Sequence, residues 1–198
     1  MANNCFYQIK AVAKNKEALE RLVQIMQYKD NEYFIYRCFE AEANIYEDGD
    51  FYVADISGDV AWSCSKWFAT QENKDELIVL EYDFKDSTIY GTAHYISLDL
   101  LCKILGIGIE LFSEESGCQF QEHYLVNANG DFIFSEVTDW IQEWYDENDN
   151  LLDEPIETGG FEYYGDFNLP NEIYGLQFPD WTSVSQMSFT INDFKAEV

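Results

Sequence analysis

Lysine and arginine are missing from the whole stretch between Ile104 and Phe194, 91 residues that carry 19 aspartates and glutamates. A segment without cations cannot neutralise its acids internally, so it repels DNA, RNA and anionic lipid surfaces. Direct nucleic-acid binding by residues 1–103 is disfavoured too, because its 10 basic residues are scattered among 18 acidic ones. Proline is scarce, at three residues, and no Gly/Ser-rich or Gln-rich tract marks a flexible linker. Long apolar runs are absent: Leu98 to Phe112 is broken by Asp99, Lys103 and Glu110 and is too short to span a bilayer. The opening MANNCFYQIK lacks the basic segment and apolar run of a secretory signal. Cysteine has no paired spacing. Cys5, Cys38, Cys64, Cys102 and Cys118 are odd in number and sit among apolar neighbours, which predicts buried free thiols in a reducing cytoplasm.

Aromatic residues are plentiful, at 17 %, within a chain that is 47 % apolar over 198 residues. That is ample for a core, whereas acidic chains that stay disordered are poor in aromatics. Cys5–Val12 reads as a strand, and Asn15 is placed to cap a helix whose apolar face is Leu19, Leu22, Val23 and Met26. Phe39, Ala41, Ala43 and Ile45 alternate with polar residues before Asp48-Gly49, which predicts a hairpin into Phe51–Ile56. Leu77–Phe84 is expected as a further strand. Ser97 then starts a second helix that Gly106 ends, and Ile107–Phe112 resumes as strand. Asn129-Gly130 joins Gln119–Val126 to Asp131–Phe134 as a hairpin, and after Trp140 the alternation dissolves.

Strand, helix, strand, strand, helix, strand is the order of a split βαβ, so an α+β, ferredoxin-like antiparallel sheet with two helices on one face is expected over residues 1–140. Residues 141–198 are then an acidic, aromatic-rich C-terminal extension packed on it. The opening Met1-Ala2-Asn3-Asn4-Cys5-Phe6, the segment Gly58–Ser63 and the run Ser113–Tyr124 resemble the YubB-type ferredoxin-like family of plasmid- and phage-borne proteins, over about the first 135 residues. The resemblance implies a mobile-element origin and the ferredoxin-like fold. It carries no catalytic residues.

The densest acid lies beyond that resemblance. Glu143, Asp146, Glu147, Asp149, Asp153, Glu154, Glu157, Glu162 and Asp166 are interleaved with Trp144, Tyr145, Phe161, Tyr163 and Tyr164. Duplex DNA presents one negative charge per ~1.7 Å of axis, so rigidly held carboxylates suit a groove built from lysine and arginine. A solvated, mobile acidic face is the plain alternative. Order is expected to come from Trp140, Trp144, Tyr145 and Phe161 packing on the sheet. Asp146, Asn148, Asn150 and Glu157 fall at positions 1, 3, 5 and 12 of a calcium loop, but Leu151 stands where glycine is needed and Pro155 stiffens the loop.

Catalytic patterns are thin. Cys118, Glu122 and His123 offer a thiol, an acid and a base, yet an odd separation on a strand turns Cys118 and His123 to opposite faces. Glu114, Glu115 and Glu122 offer paired carboxylates in a chain where acids are common. Gly106-Ile107-Gly108 follows a helix where a nucleotide fingerprint precedes one. The sequence therefore points to a non-catalytic inhibitor without cofactor or resident metal, whose partner is a host nuclease or CRISPR effector with a basic groove. A small enzyme with a pocket of His123, Glu122, Cys118 and Trp62, or a phage assembly protein, are the alternatives.

Overall fold

The computed structural model describes residues 3–68, 94–167, 169, 172–173 and 176–177 of the chain. Its centre is β1 (Asn4–Ala13), where Cys5, Tyr7, Ile9 and Ala11 alternate into the main core. Helix α1 (Lys16–Met26) follows directly. Asn15 accepts a hydrogen bond from the Ala18 N–H at 2.9 Å, satisfying a donor that a helix start leaves free, and Leu19, Leu22, Ile25 and Met26 are buried against the sheet. A short β2 (Tyr33–Phe34) leads to the hairpin of β3 (Glu42–Asp48) and β4 (Phe51–Ala61), turned at Gly49 with φ +61°.

A single 3-10 turn, Cys64–Trp67, and a short β5 (His94–Tyr95) precede α2 (Leu98–Leu105). Gly106 ends α2 in the left-handed region at φ +64°, which a Cβ would strain. From there the chain runs as consecutive hairpins: β6 (Gly108–Glu115), β7 (Phe120–Val126), β8 (Phe132–Tyr145) and β9 (Leu151–Gly159). The two-residue β10 (Glu172–Ile173) and β11 (Leu176–Gln177) pair separately. The expected strand over Leu77–Phe84 lies outside the described residues.

The ferredoxin-like expectation is overturned. The main sheet is a curled antiparallel sheet of seven strands in the order β3-β4-β1-β6-β7-β8-β9, with two α-helices beside it among the described residues. The departure comes after α2, where the chain continues through four strands, β6 to β9, instead of closing with one. The composition boundary at 140/141 falls inside β8, so the acidic segment begins as the prolongation of a strand. On the helix side lies the larger core, built from β1, β4, β6, β7 and both helices. On the opposite face Val12, Phe51, Val53, Leu125 and Leu169 form a second, smaller cluster. Among the described residues no helix is long and apolar enough to cross a membrane.

Candidate functional site

β8 and β9 extend the sheet as a hairpin, with β9 as its edge strand. The turn is organised by Asp146. Its Oδ1 accepts the backbone N–H groups of Asn148 (2.8 Å) and Asn150 (2.9 Å), and its Oδ2 accepts the Asn150 side-chain amide at 2.9 Å. Donation by the Asn150 side chain first, then by the two backbone amides, holds the Asp146 carboxyl below its ordinary range. Asp146 is consumed as the cap of its own turn, while Glu157 sits along β9 and accepts from Gln142 Nε2 at 2.9 Å across the hairpin.

Facing residues run Trp140 to Gly159, Ile141 to Thr158, Gln142 to Glu157 and Glu143 to Ile156, then jump to Tyr145 opposite Leu151. Residues 152–155 are left outside this regular pairing, and Pro155 has no N–H to give it. The irregularity carries Asp153 and Glu154 into solvent and blunts an otherwise open edge. Of the nine candidate acids, Glu143, Glu147, Asp149, Asp153, Glu154, Glu157, Glu162 and Asp166 are exposed and Asp146 is half-buried.

Two of the four expected anchors hold the hairpin. Trp140 is buried and donates its backbone N–H to the Gln119 carbonyl at 2.8 Å. Phe161 donates its N–H to Gln121 Oε1 at 2.9 Å, and with Tyr164 and Phe167 it lies edge-on to Phe112 at centroid distances of 6.5, 5.5 and 5.3 Å. The chain after β9 thus straps back over the helix-free face. Trp144 and Tyr145 do not anchor; they are 46 % and 59 % exposed. Sequence reasoning missed what they belong to. Val137, Ile141 and Tyr145 share one face of β8, and with Ile156 and Leu151 across the hairpin they make an exposed apolar stripe. Asp139 and Glu143 punctuate that face. Apolar and acidic residues take turns along that one face, so the two-faced alternation that signals a half-buried strand is missing beyond Trp140.

The residues of the alternative pocket are dispersed. His123 Nε2 and Glu110 Oε1 are 2.8 Å apart and buried; the ring stacks on Phe112 at 3.9 Å and is closed over by Phe134 and Phe161. Glu122 points to the other face. Its carboxylate accepts from Cys64 N (2.7 Å), Ser65 N (2.9 Å), Tyr124 Oη (3.0 Å) and Ser113 Oγ (2.5 Å), fixing the 3-10 turn to the sheet. Cys118 is exposed in the β6–β7 turn, where hydrogen bonding and charge from Glu115 push its thiol up. Glu115 itself accepts the backbone N–H groups of Gly117 and Cys118, and Glu114 is raised by burial. Trp62 stands half exposed. His123 and Glu122 face opposite sides of the sheet, so among the described residues His123, Glu122, Cys118 and Trp62 are not brought together.

Among the described residues one cluster has the chemistry to hold a metal: Cys5, Cys64 and Glu122, all buried, with ligand atoms within 4.8 Å of one another. Comparison with family models, curated proteins and solved structures finds no match to this chain.

Proposed function

We propose that this protein is a non-catalytic inhibitor, of mobile-element origin and acting in the bacterial cytoplasm, that seats its β8–β9 hairpin in the basic nucleic-acid groove of a host nuclease or CRISPR effector. The observation that carries this reading is the hairpin: exposed carboxylates on a hydrogen-bonded scaffold, in a segment without lysine or arginine. Adjacent strands are ~4.8 Å apart and same-face residues ~6.8 Å apart along a strand, so such a hairpin offers negative charge at a spacing of the order found along a duplex. The Asp146 turn and the Trp140 and Phe161 anchors reduce the ordering entropy that a mobile acidic tail loses on binding. The exposed apolar stripe supplies contact area that phosphate-like charge alone lacks.

The test is DNA cleavage by a panel of restriction and CRISPR nucleases with the wild-type protein and with Glu147, Asp149, Asp153, Glu154 and Glu157 changed together to their amides. Asp146 is kept, because it builds the turn. The reading expects inhibition of at least one nuclease that the amide variant loses, and that His123→Ala and Cys118→Ala retain. Inhibition lost by His123→Ala and kept by the amide variant would move attention to the sheet.

A further inference from the structure

The cluster beneath the 3-10 turn is built from three elements: Cys5 near the start of β1, Cys64 opening the turn, and Glu122 on β7. Cys5 and Cys64 have no exposed surface, and Glu122 is 1 % exposed. Two thiols and a carboxylate at this separation are a ligand set for a borderline-soft ion. We propose that Cys5, Cys64 and Glu122 bind one divalent thiophilic ion of the zinc class, which staples the 3-10 turn to β1 and β7.

Charge decides the class of ion. Two thiolates and a carboxylate sum to −3; a divalent ion leaves −1 in a site without solvent, whereas a monovalent ion leaves −2. The remaining charge faces the donors that already orient Glu122, namely the Cys64 and Ser65 N–H groups and the Tyr124 hydroxyl. Four hydrogen bonds occupy the carboxylate's lone pairs, so the ion must displace one. The Ser113 hydroxyl is the group that yields, because it frees the carboxylate by rotating one side-chain bond without moving backbone. Thiols hold such an ion as thiolates, so their protons leave as the ion enters. Entry needs only the single turn to lift, since Ser65 and Lys66 already face solvent.

The experiment titrates the reduced full chain with Co(II) and then Zn(II). Expected are one ion per chain, a thiolate-to-cobalt charge-transfer band that zinc bleaches, a higher unfolding temperature with zinc, and zinc protection of Cys5 and Cys64 from alkylation, mapped by mass spectrometry. Cys5→Ser and Cys64→Ser remove the band, Glu122→Gln weakens binding about 10-fold or more, and Cys118→Ser and Ser113→Ala keep it. The alkylation map needs no variant, so it stands if a cysteine substitution misfolds. Absence of the band, a band that follows Cys118, or a thermal shift that magnesium reproduces and that therefore belongs to the exposed acids, overturns the proposal.

Discussion

Buried and exposed carboxylates have separate work in this chain, and single residues make the difference measurable. Glu122 accepts four hydrogen bonds in a dry site, so Glu122→Ala leaves two backbone N–H groups and two hydroxyls without their acceptor. A cost of about 3–5 kcal/mol is expected, against about 0.5 kcal/mol or less for Glu147→Ala on the hairpin surface. Urea unfolding of the two variants compares them directly; equal midpoints contradict the account. The thiols divide in the same way. Cys118 is exposed, while burial pushes Cys38 up to about 12. A thiol reagent at neutral pH should modify Cys118 first in the folded protein, Cys5 and Cys64 only slowly as the 3-10 turn lifts, and all five cysteines together once it is unfolded. Expectation of buried thiols from apolar flanks was right for four of the five; Cys118 escaped because a turn, not a strand, carries it.

Where local chemistry determines an element, the sequence displays it. Asn15, Gly106, Asp48-Gly49 and Asn129-Gly130 mark a cap, a helix end and two turns, each formed by groups within a few residues of one another. Asn15→Ala should cost about 1 kcal/mol of stability, read from the denaturation midpoint. Gly58 is legible only in the fold: a Cβ there would fall 1.9 Å from the Glu40 carbonyl, which Tyr7 Oη holds at 2.6 Å. Gly58→Ala should therefore destabilise by about 1–3 kcal/mol, with the backbone around Cys38–Glu40 displaced. The β8–β9 hairpin was not legible as strands because neither face of its far half is buried, so the in-out alternation that identifies a strand never develops. Its turn is a pH-sensitive element. The folded Asp146 pKa lies below its unfolded value, so its contribution is complete above the ordinary carboxylate range and is lost as pH falls through the depressed value. The amide resonances of Asn148 and Asn150 should shift with that acid transition, and Asp146→Asn should abolish it.

At the scale of the whole molecule, the charge of −27 and the sheet topology answer different questions. Element order suggested a split βαβ, but order does not count how many hairpins a chain adds after its second helix, and here three more strands make the sheet seven wide. Charge says nothing about that topology. It does limit partners: surfaces of one sign repel one another and screen over ~8–10 Å, so the fold should gain stability with added salt while a complex with a cationic groove should weaken steeply between about 50 and 200 mM. The apolar stripe of Val137, Ile141, Tyr145, Leu151 and Ile156 should leave a salt-insensitive remainder of that affinity, removed by Ile141→Ser with Ile156→Ser. The most direct measurement is displacement of a fluorescent duplex from a nuclease that the protein inhibits, followed by anisotropy. The account predicts that wild-type protein releases the duplex competitively and that the variant neutralised at Glu147, Asp149, Asp153, Glu154 and Glu157 does not. Equal release by both, or inhibition with the duplex still bound, would contradict it.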